Sequence, residues 1–360
     1  MNPFLGADPA TRSLNRARIE ALSGIEVDEG ILGKSGYDLL AAESLRRDIV
    51  AEAAALAVDP AAPDLIRRFD RAFATAEVSP LAISIARRYG RRLGFLLLML
   101  RRGDDANRAA RPEWSDAHWT FWREVRRVFL GGGLVAGNMG ASIVEAAREL
   151  LHQHGVTDLA LERSPHGVHL PLVGLARAAP ADTPEMLVLD FGQTSVKRGL
   201  ALYQESVLVE LRLLSPAPTV CGDLLQPTSP AEARRRWQRM LEIIHESWND
   251  APYPRHTSTG IGISLACYLF DGHPSPRDRG CFGALQFICD HLESFVREQI
   301  AARLGAALHL VLMHDGAAAA AAYAGAPDAV VLTLGTAIGN GFPPPSQGYR
   351  PVLPQLAIRA

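Results

Sequence analysis

Asp190, Gly192, Thr194 and Lys197 lie within LVLDFGQTSVKRGLALY (187–203), where an apolar run reaches an acid, turns through Gly192, Gln193, Thr194 and Ser195, and leaves as a second β-type run. A surface turn uses the same residue types, so this stretch alone leaves both readings open. Two more strand-to-turn junctions share the build: His314-Asp315-Gly316 after LHLVLM, and Leu334-Gly335-Thr336-Ala337-Ile338-Gly339-Asn340-Gly341 after AVVLT. A glycine turn at a strand end lets backbone N–H groups approach phosphate oxygens with no Cβ in the way, and a threonine hydroxyl adds a donor. Two such turns facing each other would clamp a polyphosphate. An acid in the first turn repels phosphate, which makes Asp190 a candidate holder of hydrated Mg²⁺ through water. Asp315 is then free for proton abstraction.

The elements that must position these junctions can be read from periodicity. Residues 38–102 carry Ala, Leu and Arg at helical spacing, with Gly90 and Gly94 inside the second long helix as a sign of close packing. RRGDDANRAARPEW reads as a polar loop. VFL then enters the glycine turn Gly131-Gly132-Gly133, and a helix follows that ends at Gly155. ARAAPADTPE (176–185) is the best linker. Beyond it LVLDFG, VKRGLALY and SVLVELRLL are spaced like an antiparallel meander. Ser229, Pro230 and Glu232 open a helix, TGIGISLACYLF reads as a buried strand leading to a loop at Asp271 and Gly272, and AAAAAAYAG is a small-residue helix whose plainest meaning is tight packing.

The chain has 360 residues, more than one hydrophobic core usually organises, so two lobes are expected, with a boundary near residue 180: 1–180 and 181–360. With 37 basic and 39 acidic residues the net charge is −2, which gives no electrostatic reason to expect nucleic acid or an acidic membrane as partner. The apolar run Phe95–Leu100 is far shorter than the roughly 20 residues of a bilayer span. Cys221, Cys267, Cys281 and Cys289 lack the close spacing of a zinc or redox motif, so reduced thiols in a cytoplasmic protein are expected.

On LVLDFGQTSVK, LVLMHDGAAAAA and VVLTLGTAIGNGF, residues 186–342 resemble the ROK family of bacterial sugar kinases, within the actin-like superfamily of sugar kinases, Hsp70 and actin. The resemblance implies an α/β fold of the two-lobed actin-like (ribonuclease H-like) ATPase type. VRRVFLGGGLVAGNMGASIVEAARELL resembles the adenosine motif and HLPLVGLARAA the closing strand and start of the last helix, yet both precede the phosphate motifs. The lobes are therefore expected in circularly permuted order, with nucleotide lobe 1–180 ahead of phosphate and catalytic lobe 181–360. It further implies ATP-dependent phosphorylation of a sugar or polyol hydroxyl. Asp315 would be the general base. Asp190, Gly192, Gln193, Thr194, Lys197, Gly335, Thr336 and Gly339 would hold phosphate and Mg²⁺, Gly131, Gly132 and Gly133 the adenosine, and Ser264 and His314 the substrate.

Departures bear mainly on the substrate. Ala337, His314 and Ala317 stand where the family has Gly, Asn and Asn, and Gln193 replaces a Gly. The family's zinc cluster has no counterpart, since the first 60 residues hold neither Cys nor His; no structural zinc is expected, and SGIEVDEGILGKSGYDLL would serve the substrate differently. Gly33-Lys34-Ser35 is rejected as a P-loop because Asp28 stands at the required glycine. Gly131 to Ala136 does fit the loose dinucleotide pattern G-x-G-x-x-A, with Glu162 as ribose ligand. An NAD(P)-dependent oxidoreductase and a non-catalytic sugar or nucleotide sensor are thus the alternatives. Trp114, Trp119 and Trp122 read as packing residues and Arg234-Arg235-Arg236 as a solvated helix face. A homodimer stays open.

Overall fold

Helical-period runs form helices and β-branched runs form strands in the computed structural model, which describes residues 2–5, 9–74, 78–221, 229–251, 260–270, 272–275, 280–305 and 308–360. The elements up to residue 163 are α1 (Pro9–Arg12), α2 (Gly36–Leu40), α3 (Ala42–Ala51), α4 (Leu65–Ala72), α5 (Pro80–Arg102), α6 (Asp105–Ala109), α7 (Asp116–Glu124), β1 (Arg127–Gly131), α8 (Gly133–Ala136), α9 (Gly140–Gln153) and β2 (Ala160–Arg163). Next come α10 (Leu170–Arg177), β3 (Glu185–Phe191), β4 (Ser195–Gln204), β5 (Val207–Pro218), α11 (Pro230–Asp250), β6 (Gly260–Leu265), β7 (Leu269–Phe270) and β8 (His273–Pro274). The chain closes with α12 (Leu292–Leu304), β9 (His309–His314), α13 (Asp315–Ala321), β10 (Ala329–Leu334), β11 (Ile338–Gly341) and β12 (Val352–Arg359). The protein is mixed α/β with two main sheets. Among the described residues no helix is long and apolar enough to cross a membrane.

The chain divides into two compact units: Met1–Leu5, Ser13–Val168 and Asp328–Asn340 form one; Gly6–Arg12, His169–Pro327 and Gly341–Ala360 form the other. This differs from a single boundary near 180. The reason is strand pairing, which local sequence does not report: β10 hydrogen-bonds to β1, 202 residues away, in parallel register with Arg127 opposite Ala329 and Gly131 opposite Thr333.

In the first unit the strand order is β11-β10-β1-β2. Helix α5 carries Pro80 in its first turn and ends at Gly103 in the left-handed region (φ 56°), with Arg101 and Arg102 facing the negative end of its dipole. Its two interior glycines do what close packing asks. A Cβ on Gly90 would strike the Ile143 carbonyl of α9, and one on Gly94 would lie 3.1 Å from the Ala147 oxygen. The GKS stretch is a helix start rather than a phosphate loop, since Ser35 and Asp38 form a reciprocal capping box on α2. Within the expected polar loop, 105–109 form the short α6. Trp114, Trp119 and Trp122 are buried, the first and last packing with Phe4 and Trp119 with Trp114, so they are core residues.

The second unit contains the six-stranded sheet β12-β5-β4-β3-β6-β9. The antiparallel meander β3-β4-β5 is present as expected, and β6 and β9 extend it in parallel. Strands β3 and β6 are buried throughout because both sheet faces are covered. One face meets α11, α12 and the 3₁₀ turn 281–287 through Leu187, Leu189, Phe191, Ile261, Ile263, Trp237, Met240 and Phe282. The other meets α10. HLPLVGLARAA, expected to begin with a strand, folds as this helix, with Pro171 in its first turn. Gly174 lets α10 approach α13 so closely that a Cβ there would overlap the Ala318 carbonyl. Ala318 to Ala321 are buried, which makes the alanine run a packed helix.

Ser229 caps α11 by accepting the Glu232 N–H. Of the three arginines on that helix, Arg234 and Arg235 are exposed, but Arg236 is buried, pairs with Glu232 and donates to the Cys281 carbonyl. Asp271 lies outside the described residues. Reduced thiols are expected throughout, yet Cys221 and Cys281 are joined in a disulfide, and Cys267 and Cys289 are free. The bonded pair is 60 residues apart, a separation that carries no spacing signal.

Candidate functional site

In the second unit, β3, β6 and β9 run parallel, so their carboxyl ends lie on one edge of the sheet. Such an edge is where open α/β sheets place ligands. Asp190 pairs in register with Ser264 of β6, and Leu265 with His314 of β9; Asp315 follows as the first residue of α13. Lys197 of β4 stands directly opposite Asp190 in antiparallel register. Five residues singled out by sequence, Asp190, Lys197, Ser264, His314 and Asp315, thus lie at one sheet edge.

Asp190 is only 3% exposed, and both of its carboxylate oxygens are engaged. Ser264 Oγ donates to Oδ1 at 2.7 Å and Lys197 Nζ donates to Oδ2 at 2.8 Å. Burial disfavours the Lys197 ammonium, but the facing Asp190 carboxylate, with help from Asp315, more than offsets this and holds its pKa above the ordinary lysine value. Sequence left open whether Lys197 meets phosphate or an acid; it meets Asp190. Ser264, expected to contact substrate, is fully buried and serves instead to fix that carboxylate. Its apolar neighbours in GIGISL gave no hint of this role.

These contacts decide how a divalent ion fits. Ser264 and Lys197 each occupy one acceptor position on an Asp190 oxygen, so the carboxylate is already partly satisfied before any ion arrives. Among the described residues no group of three His, Cys, Asp or Glu side chains is arranged to hold a metal. A single carboxylate already bonded to Ser264 and Lys197 is a sparse donor set for a resident metal ion.

The turn after β3 is tight. Gly192 N–H donates to the Asp190 carbonyl, and a Cβ on Gly192 would sit 3.1 Å from the Ser195 carbonyl and 3.8 Å from Lys197 Nζ. Gln193 is half-buried and Thr194 exposed. Thr219, which sequence reasoning missed, locks the turn from the end of β5: its hydroxyl donates to the Gly192 carbonyl at 3.2 Å and accepts the Cys221 N–H at 3.1 Å. His169, at the start of α10, was missed too. Its pKa is lowered by burial and then by the Lys197 charge, with Asp190 opposing. Both residues act on the site from distant segments.

Asp315 has a side chain 31% exposed. Burial raises its pKa, but His314, the Gly316 N–H and Lys197 together hold it below the ordinary carboxylate value. His314 Nε2 lies 2.9 Å from Oδ1, and its ring stacks on Tyr268 at 4.9 Å.

No known protein family matches the sequence, and no curated protein does. Among solved structures, the exopolyphosphatase-like protein is similar at 14% identity, over 71% of this chain and 86% of that one, with a TM-score of 0.28. That overlap is too loose to carry a fold or an activity.

The remaining sequence-derived residues lie in the first unit. Gly131, Gly132 and Gly133 end β1 and begin α8, and Gly335, Thr336 and Gly339 follow β10, so the two glycine turns leave neighbouring parallel strands. Gly132 has φ 87°, and a Cβ on it would lie 2.6 Å from the Leu334 nitrogen. Gly133 and Gly335 face open space. Sequence assigned Gly335, Thr336 and Gly339 to the lobe of Asp190; β10 pairing groups them with Gly131 to Gly133 instead. The second turn is held by early residues: Asn15 exchanges two side-chain hydrogen bonds with the Ile338 backbone, Asn340 Oδ1 accepts the Leu14 N–H, and Gly335 O accepts the Ala42 N–H. Glu162, the ribose ligand of the dinucleotide alternative, is instead ion-paired with Arg127 at 3.0 Å.

Proposed function

We propose that this protein transfers the terminal phosphoryl group of a nucleoside triphosphate, bound as its Mg²⁺ complex, to a hydroxyl of a sugar or polyol. The observation that carries this reading is a pair of acids, Asp190 and Asp315, at the carboxyl ends of β3 and β9, the two strands that flank β6, with the Lys197 ammonium bonded to the first of them. Asp315 is ionised at neutral pH, as a proton acceptor must be, and its low basicity suits a transition state in which the hydroxyl loses its proton late. The Gly192–Thr194 turn, held by the Gly192 N–H on the Asp190 carbonyl and by Thr219 on the Gly192 carbonyl, offers the Gln193 and Thr194 N–H groups and the Thr194 hydroxyl to the phosphates. Taken by itself, the first unit also presents bare backbone, at the adjacent glycine turns Gly131 to Gly133 and Gly335 to Gly339, that suits a nucleotide. Within this reading the fold is of the actin-like ATPase type with its lobes in permuted order.

The test is an ADP-release assay over a panel of sugars and polyols, with Asp315→Asn as control and calorimetry of MgATP on both proteins. Transfer by the wild type that the variant loses while still binding MgATP supports the assignment. Binding with no transfer to any acceptor leaves a sensor as the better description.

A further inference from the structure

Asp315 Oδ1 receives two contacts, the Gly316 N–H at 2.7 Å and His314 Nε2 at 2.9 Å. Oδ2 has no hydrogen-bond partner among the described residues. The His314 side chain is 14% exposed, and its ring lies on Tyr268 with only 26° between the planes. The Tyr268 backbone is itself anchored, its carbonyl accepting the Ser275 N–H at 2.8 Å. The imidazole is therefore held on one side by a ring and on its edge by the carboxylate.

We propose that His314 is a positioning residue, which in its Nε2–H tautomer donates to Asp315 Oδ1, fixes the plane of the carboxylate and leaves Oδ2 as the oxygen that meets the acceptor hydroxyl. This role differs from the substrate contact expected of His314 from sequence, and its catalytic half rests on the phosphotransferase reading. The step balances without a proton leaving the dyad. The acceptor oxygen bonds to the γ-phosphorus as its proton passes to Oδ2. The bond from that phosphorus to the β–γ bridging oxygen breaks, and ADP departs with the electron pair. His314 keeps its proton throughout.

Nitrogen-15 NMR of histidine-labelled full-length protein, without ligand, reads the hydrogen bond directly. His314 is expected as the Nε2–H tautomer, with a resonance that moves on Asp315→Asn; the opposite tautomer, or a resonance indifferent to that change, overturns the inference. Kinetics of two folded variants reads the role. His314→Gln places an amide N–H near the Nε2 position and retains kcat within a few-fold. His314→Phe keeps a ring on Tyr268 without a donor and lowers kcat about 10- to 100-fold, with KM for MgATP unchanged. A Phe variant as active as wild type, or one that outperforms Gln, shows a packing role and overturns the positioning one. A wild type that transfers nothing to any acceptor overturns the functional reading and the catalytic half of this assignment with it, and the NMR result still decides the hydrogen bond.

Discussion

At the scale of single residues, Asp190 and Lys197 form a partly buried ion pair with side chains 4% and 27% exposed. Removing one partner from such a pair strands the other charge. Lys197→Met is expected to cost about 3 kcal/mol in urea unfolding, and adding Asp190→Asn to recover part of that loss. The pair also sets an alkaline limit. The folded pKa of Lys197 lies above its ordinary value of 10.5, so its stabilisation is complete below that pH and fades as pH rises through the folded value. Asp315 works in the other sense: its folded pKa lies below 3.8, so its contribution is present above that pH and fades in stronger acid. Unfolding midpoints of wild type and Lys197→Met should therefore converge as pH rises above the ordinary lysine value; convergence near neutrality contradicts the pairing. Asp190, Lys197, His314 and Asp315 were legible in the sequence because acid, glycine, threonine and lysine cluster at strand ends. Thr219 and His169 were not, since each reaches the site from a segment whose own sequence is unremarkable.

At the scale of elements, the Asp315 helix is placed by backbone proximity. Helix α10 packs on β3 and β6 and, through Gly174, against the Ala318 carbonyl of α13. A methyl group has no room there. Gly174→Ala is expected to destabilise the protein by about 1–3 kcal/mol and to lower transfer activity more than MgATP affinity, read by chemical denaturation alongside kcat and calorimetry. Unchanged stability contradicts the close approach. Helix existence and type followed from periodicity, as Gly90 and Gly94 show, and so did the meander β3-β4-β5. The misread element was α10, because a short apolar run bounded by proline and glycine fits a buried strand as well as a buried helix until its packing partner is known.

At the scale of the whole molecule, the chain runs through its two units more than once, with β10 and β11 returning to the sheet of β1. Pairings of this range leave no local mark, so sequence showed two lobes and placed their border too simply. The disulfide is a second long-range constraint that spacing concealed. The link between Cys221 and Cys281 closes a loop of 60 residues, so Cys281→Ser is expected to cost up to about 4 kcal/mol, and thiol titration of the denatured, unreduced protein should find two free cysteines. Four reactive thiols contradict the bond. The central claim is phosphoryl transfer to a hydroxyl with Asp315 as proton acceptor, and phosphorus NMR of the products formed from MgATP and a sugar panel tests it most directly. A sugar phosphate ester formed by the wild type, and slowed about 10²- to 10⁴-fold in Asp315→Asn, is the predicted result; an ester formed equally well by both proteins, or none from either, contradicts it.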